Sequence, residues 1–143
     1  MRNRDEIVGI VLAAGLSSRM GKFKQLLPIG DEPAVYRIAG VLKQCLEQVV
    51  VVVGHRADEV RDALAGLEVE CLHNRGFRDG MLSSVQCAVR EVGPGRDYLF
   101  CLGEGHLNLL FLDFQLKKNR FCKVYMLFQN KQLQLHFEHE CVQ

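Results

Sequence analysis

The sequence lacks a strong charge of either sign, and it lacks a long hydrophobic run. Its 143 residues carry a formal net charge of +1. Proteins that bind nucleic acid or a membrane surface generally carry a large basic excess, so neither partner is expected and any cationic site must be local. The apolar stretch over residues 7–16 is too short to span a bilayer. Asp5 and Glu6 precede it, which disfavours its interpretation as a signal peptide.

Cysteine pairs with the spacing of metal or redox motifs are also missing. The six cysteines are scattered along the chain without a C-x-x-C pair. Four of them fall at apolar-periodic positions, as is typical of reduced thiols in a hydrophobic core. We therefore predict a cytoplasmic protein.

The apolar patterns that are present alternate between buried strands and amphipathic helices. Residues 7–12 and the valines at 49–53 are unbroken β-branched runs, which are typical of strands buried on both faces of a parallel sheet. Further strands are predicted for 67–72 and 98–102, and helices for 57–67, for 81–92 and from Asp31–Pro33 onward, with Asp31 as the cap. This alternation predicts an α/β fold with a mostly parallel sheet covered by helices.

The composition changes after Gly105. All thirteen glycines and all three prolines lie at or before this residue, whereas five of the eight phenylalanines follow it. Residues 107–114 and 121–128 are compatible with two strands or with one poorly patterned helix. We predict a nucleotide-binding part over residues 1–104 and an atypical segment of unknown fold over 105–143.

The clearest functional pattern is the segment that follows the first strand. Small residues after Leu12 allow the main chain to approach a ligand closely, so that its N–H groups can bind an anion. Arg19 and Lys24 follow at a spacing that can bring two cations over a polyphosphate. The carboxyl end of a strand is where open parallel sheets bind ligands. Neither G-x-x-x-x-G-K-[ST] nor G-x-G-x-x-G is present.

The segment Leu12–Lys24 resembles the L-A-A-G-x-S-x-R-M-G-x-x-K signature of the MobA-like nucleotidyltransferases, particularly the molybdenum cofactor cytidylyltransferases. The match continues through Lys24-Gln25-Leu26-Leu27-Pro28, Pro33 and Val53-Gly54-His55, and Asn74 with Gly80–Val85 resembles the family's second nucleotide-contacting element. The resemblance covers residues 7–103. It implies a Rossmann-like three-layer α/β/α fold of the nucleotide-diphospho-sugar transferase type, here with an incomplete C-terminal half.

The resemblance also implies roles for individual residues. Arg19 and Lys24 would be the catalytic cations that neutralise the β- and γ-phosphates. Cytidylyl members of the family have A-A-G where guanylyl members commonly have A-G-G, so Ala14 favours cytosine. The implied nucleotide-binding set is Leu12, Ala13, Ala14, Gly15, Arg19, Lys24, Asn74, Gly80 and Ser84.

The implied activity is the transfer of CMP from CTP to a phosphorylated small-molecule acceptor such as molybdopterin, with release of pyrophosphate. Such an enzyme mainly aligns two anions and stabilises the charge that develops on the leaving group, a task that a Mg²⁺ ion would share. Three alternatives stay open: a transferase for GTP, one for a sugar or alcohol phosphate, and a nucleotide-binding remnant without turnover.

Two departures from the family pattern concern the metal and the acceptor. The relatives end the fourth strand with G-D-x-P, whose aspartate binds the metal, whereas this chain reads Gly103-Glu104-Gly105-His106. Glu104 is interpreted either as a metal ligand or as a solvated loop acid. Nothing in residues 107–143 matches the acceptor half, so we expect a chain that is truncated or altered after about residue 103.

Histidines at two places in the chain have both a functional interpretation and a purely structural one. His136, His139 and Cys141 lie close enough in sequence to suggest a zinc site, but no second ligand cluster lies nearby and a polar terminal tail is the favoured interpretation. His55 follows the valine strand and is either a pocket residue or a plain loop histidine.

Overall fold

The computed structural model describes residues 7–16, 23–93 and 96–103 with their side chains, and the backbone of 111–116 and 120–126. The strands are β1 (Ile7–Ala13), β2 (Pro28–Ile29), β3 (Glu32–Pro33), β4 (Gln48–Val53), β5 (Glu70–His73), β6 (Asp97–Leu102), β7 (Phe111–Leu116) and β8 (Arg120–Met126). The helices are α1 (Ala34–Cys45), α2 (Ala57–Ala63) and α3 (Met81–Val92), and 3₁₀ turns lie at Lys24–Leu26 and Phe77–Asp79.

The main sheet is mostly parallel, as predicted. Its strands lie in the order β5-β4-β1-β6-β8-β7. β1 pairs in parallel with β4 on one side and with β6 on the other, so that Leu12 lies between Val52 and Leu102. β5 continues the parallel pairing beside β4, and among the described strands of this sheet only β7 runs antiparallel to its neighbour.

Alternating side chains of the central strands enter two separate core layers. All seven residues of β1 are buried, as are the valines of β4. Val51 packs in one layer with α1 and α2, through residues such as Val60. Val50 and Val52 point to the opposite face and pack with Val85 of α3. Helices therefore cover both faces, which gives the predicted three-layer α/β/α arrangement and explains the unbroken apolar runs.

The start of α1 differs from the prediction. Pro33 occupies the N-cap position, and none of the described side chains caps the helix. Asp31 instead lies in the turn of a small hairpin, in which β2 pairs with β3 around Gly30 at a φ of +65°. The predicted capping by Asp31 is therefore wrong, because residues 28–33 form this hairpin before the helix begins.

The helix after β4 is also shorter than predicted. α2 ends at Ala63, and turns that include Gly66 at a φ of +91° follow it. The next strand consequently begins at Glu70 and not at Leu67. The helix of residues 81–92, by contrast, has the predicted bounds. In the described part of the chain, no helix has the length and apolarity that a membrane crossing requires.

Residues after Gly105 add two strands to the sheet. β8 pairs in parallel with β6, and β7 pairs with β8 in an antiparallel hairpin. Of the two alternatives for this segment, the described backbone thus shows strands. The division of the chain at residue 104 stays a prediction.

The structure describes the side chains of four cysteines, all of them in the reduced form. Cys87 and Cys101 are buried, whereas Cys45 and Cys71 are half-buried. Burial raises the pKa of the Cys71 thiol. These thiols therefore pack as small apolar side chains, as predicted.

Candidate functional site

The carboxyl ends of four parallel strands meet at one edge of the sheet. From β1 the chain crosses to β4 on one side, and from β5 it returns to β6 on the other side. The direction of winding thus changes between β1 and β6. Ligands of open α/β sheets bind at such a switch point, beyond the carboxyl ends of the strands.

The turn after β1 leaves the core at this edge. Ala13 and Ala14 are buried, whereas Gly15 and Leu16 are exposed. Neighbouring strands hold the turn on both sides, because the amide of Gly103 donates to the carbonyl of Leu12 at 2.9 Å and that of His55 donates to the carbonyl of Ala14 at 3.2 Å. The predicted nucleotide turn is therefore a fixed feature of the backbone at the switch point.

Two glycines allow the neighbouring strand ends to pack against this turn. A Cβ at Gly103 would lie 3.0 Å from the Cβ of Ala13. A Cβ at Gly54 would lie 3.0 Å from the Cβ of Ala14 and 2.6 Å from that of Phe77. Neither glycine is among the site residues predicted from the sequence, where the signal for both is a glycine that directly follows a buried strand.

The segment that carries Lys24 packs beside the same turn. Lys24 opens a 3₁₀ turn and is half-buried, and Phe23 before it is buried. The carboxamide of Gln25 is also buried, with its Nε2 3.7 Å from the point that a Cβ on Gly15 would occupy. The structure thus brings the predicted Lys24 segment next to the predicted turn.

Asn74, Gly80 and Ser84 come together at the start of α3, on the same edge of the sheet. The amide nitrogen of Asn74 donates to the hydroxyls of Ser83 and Ser84 at 2.9 and 3.0 Å, and its oxygen accepts the amide of Gly76 at 3.0 Å. Gly80 precedes the helix at a φ of +95°, a conformation that favours glycine. The buried carboxamide of Asn74 therefore ties β5 to the first turn of α3, and Ser83 joins this network without having been predicted.

Some predicted site residues lie outside the described residues. These are Arg19, Glu104, His136, His139 and Cys141. Among the residues that are described, no group of three or more His, Cys, Asp or Glu side chains could hold a metal ion. The metal site that the sequence predicts at Glu104 therefore stays a prediction.

A mostly parallel sheet covered by helices on both faces, with a glycine-containing segment at its switch point, is the arrangement of nucleotide-binding α/β proteins. Within that class, the chain belongs to the family of the MobA-like NTP transferase domain, whose model matches residues 9–103. The resemblance inferred from the sequence is thereby confirmed.

Two curated relatives illustrate the range of this family. The molybdenum cofactor cytidylyltransferase of Escherichia coli K12 is 35% identical over 85 residues, which are 58% of this chain and 44% of the relative. A probable molybdenum cofactor guanylyltransferase of Pelotomaculum thermopropionicum is 44% identical over 46 residues, or 32% of this chain and 22% of the relative. The chain therefore matches less than half the length of either protein.

Solved structures show the same fold. A nucleotidyl transferase from Methanothermobacter superposes with a TM-score of 0.62 at 30% identity, over 70% of this chain and 51% of that one. Rv0371c of Mycobacterium tuberculosis gives a TM-score of 0.60 at 30% identity, over 72% and 53%. A manganese complex of Rv0371C gives 0.51 at 30% identity, over 71% and 52%. The predicted fold class is confirmed.

Proposed function

We propose that this chain is the nucleotide-binding part of a nucleotidyltransferase that transfers CMP from CTP to a phosphorylated acceptor of the molybdopterin type. The observation that carries the proposal is the turn of Ala13–Gly15 at the switch point, held by Gly103 and His55 with the Lys24 segment beside it. The main chain of this turn would contact the base and ribose. Asn74 would act by fixing the start of α3, since its carboxamide is already bonded to protein groups.

The reaction needs little covalent chemistry from the protein. An oxygen of the acceptor phosphate forms a bond to the α-phosphorus, and the bond from that phosphorus to the β-bridging oxygen breaks, so pyrophosphate leaves with the electron pair. Lys24, together with Arg19, would place positive charge along the triphosphate and stabilise the charge that develops on the leaving group. Alignment of the two anions supplies the rest of the catalysis.

Glu104 would be the protein ligand of a Mg²⁺ ion that takes part in this reaction. Magnesium is usually bound through one or two carboxylates together with substrate phosphates and water, so it does not require a cage of protein ligands. Glu104 directly follows Gly103, whose amide is bonded to the carbonyl of Leu12. When bound, the ion would neutralise phosphate oxygens and so favour departure of pyrophosphate. The manganese complex of Rv0371C supports a divalent metal in this fold.

The preference for cytosine rests on Ala14. Its side chain is only 2% exposed and packs towards Gly54, so the methyl group would act on the base through the shape of the turn. Both cytidylyl and guanylyl transferases are among the relatives, which is why the base must be tested directly. A cytoplasmic location, in keeping with the reduced form of the described cysteines, belongs to the same proposal.

Calorimetric titration with CTP, GTP and cytidine tests the proposal, followed by a pyrophosphate-release assay with molybdopterin and Mg²⁺. We expect CTP to bind at least about tenfold more tightly than GTP, a difference of about 1.4 kcal/mol. Tighter binding of GTP than of CTP would indicate a guanylyltransferase and contradict the proposed preference for cytosine. Binding without pyrophosphate release would identify a nucleotide-binding remnant, and the absence of binding by either triphosphate would refute the function.

A further inference from the structure

Three aromatic side chains form a cluster beside the turn that follows β1. The ring centroids of His55 and Phe23 are 5.6 Å apart with an interplanar angle of 76°, and those of His55 and Phe77 are 6.0 Å apart at 43°. Distances of this size are typical of favourable aromatic pairs. His55 is the member that contacts both phenylalanines, so it joins two segments that are far apart in sequence.

Each of the two phenylalanines belongs to a segment with predicted nucleotide-binding residues. Phe23 directly precedes Lys24, and Phe77 opens the 3₁₀ turn that leads to Gly80. A displacement of the His55 ring would therefore change the position of both segments. The ring thus contacts the residue that precedes Lys24 and the residue that opens the 3₁₀ turn before α3.

The main chain next to the ring is fixed to the nucleotide turn itself. The amide of His55 donates to the carbonyl of Ala14 at 3.2 Å. Gly54, one residue earlier, leaves no room for a side chain between Phe77 and Ala14. His55 therefore contacts all three parts of the candidate site: the turn through its backbone, and the other two through its ring.

Arg56 also contacts the ring of Phe23. Its guanidinium carbon lies 4.8 Å from the centroid of the Phe23 ring, and its Nε donates to the carboxylate of Glu59 at 2.7 Å. Among the described residues, Arg56 is the one non-glycine residue with a positive φ, at 53°. Such a backbone conformation persists where the surrounding contacts determine it. Two consecutive residues after β4 thus hold the ring that precedes Lys24.

We propose that His55 is a positioning residue, which sets the place of Lys24 relative to the turn of Ala13–Gly15 by packing against Phe23 and Phe77. This role rests on the proposed function. It depends on the shape and packing of the ring and needs no proton transfer, so a phenylalanine at position 55 should perform it. An imidazole that bonded the triphosphate directly would not be replaceable in this way.

Hydrogen exchange in the nucleotide-free protein tests the packing without relying on nucleotide binding. The amides of Leu26 and Leu27 donate to the carbonyls of Phe23 and Lys24 at 3.1 and 3.2 Å, so their protection reports the order of the Lys24 segment. We expect His55→Ala to lower this protection by about tenfold or more. His55→Phe should preserve it, and so should His73→Ala, a matched control at the exposed end of β5. Unchanged protection in His55→Ala would overturn the inference.

Affinity measurements then connect the packing to the function. We expect His55→Ala to weaken the binding of CTP by about tenfold or more and the binding of cytidine by less than about twofold. The CTP affinity of His55→Phe should stay within about threefold of that of the unsubstituted protein. Equal losses of CTP affinity in both variants would overturn the positioning role in favour of a direct contact from the imidazole. If His55→Ala does not fold, Phe23→Leu provides the same test from the other side of the contact. The unsubstituted protein could bind no nucleotide while the variants show the expected pattern of hydrogen exchange. That result would refute the proposed function and support the packing role of His55.

Discussion

Gly103 lies where β6 meets the turn after β1, and it has no room for a side chain. A Cβ there would lie 3.1 Å from the carbonyl oxygen of Leu12, which is a backbone atom of the central strand. We expect Gly103→Ala to lower the free energy of unfolding by about 1–3 kcal/mol, since the strand itself would have to shift. Urea denaturation measures this loss.

Gly40 offers a matched control for that substitution. It lies within α1, and nothing would lie within 4 Å of a Cβ at this position. Gly40→Ala should therefore raise the free energy of unfolding, by up to about 1 kcal/mol, because alanine favours the helix. Equal losses for the two variants would show that close packing at Gly103 is not the cause.

Lys24 is expected to act on phosphate and not on the nucleoside. Lys24→Ala should weaken the binding of CTP by about 1.5–3 kcal/mol, the contribution of a hydrogen bond to a charged group, and leave cytidine almost unchanged. Calorimetry with the two ligands measures the difference. Lys43→Ala on α1, whose Nζ donates to the carbonyl of Glu47, serves as the control. Equal losses for CTP and cytidine would contradict the assignment of Lys24.

The single residues of the site were predictable only where they carry a sequence motif. The position of Ala13–Gly15 at the end of a buried strand follows from the apolar run of residues 7–12 and is confirmed by the fold. The packing of Gly54 and Gly103 was not predictable, because it depends on which strands lie beside β1. The same is true of the contacts of His55 with Phe23 and Phe77, residues that are far apart in the chain.

The junction between β5 and α3 depends on one buried carboxamide. Asn74 is 6% exposed, and both its oxygen and its nitrogen are hydrogen-bonded. Asn74→Ala should lower the free energy of unfolding by about 1–3 kcal/mol, since it leaves buried polar groups without partners. Thermal or urea denaturation is the measurement. Gln86→Ala, on the exposed face of α3, should change the free energy of unfolding by less than about 0.5 kcal/mol. A similar small change in both variants would contradict the role of Asn74.

The start of α2 gives a prediction for pH. The hydrogen bond from Arg56 lowers the pKa of Glu59 below its ordinary value. Because the folded-state pKa is the lower one, the stabilisation is present above the ordinary glutamate pKa of about 4.3 and is lost as the pH falls through the folded-state pKa. The free energies of unfolding of the natural protein and of Glu59→Gln should therefore differ slightly at pH 7 and converge in acid. A difference that is independent of pH would contradict this explanation.

Elements with long apolar patterns were predicted well, whereas the ends of helices next to glycine-containing turns were not. α3 has the predicted bounds, and β1 and β4 each differ from the prediction by one residue at one end. The early end of α2 and the hairpin before α1 depend on turns at Gly66 and Gly30, where glycine adopts a positive φ. A glycine in a sequence indicates a turn, but it does not indicate whether a helix ends before it or a hairpin forms around it.

The two core layers meet at the candidate site. Ala13 packs in the layer of α1 and α2, whereas Ala14 packs in the layer of α3. The turn after β1 is therefore fixed by both faces of the sheet at once. This contact with both layers depends on the order of the strands in the assembled sheet. The sequence predicted only its outline, a parallel sheet covered by helices.

Separation of the two layers by the sheet makes their contributions to stability independent. Val51 and Val60 pack in one layer, and Val85 packs in the other. Each single valine-to-alanine change should cost about 1–3 kcal/mol from lost burial and the cavity left behind. Because Val51 and Val85 share no core layer, the loss in the double variant Val51→Ala/Val85→Ala should equal the sum of the single losses within about 0.5 kcal/mol. Val51→Ala/Val60→Ala should deviate from its sum by more than this, since one enlarged cavity can relax where two separate ones cannot. Equal coupling in both pairs, measured by urea denaturation, would show that the sheet transmits strain between its faces.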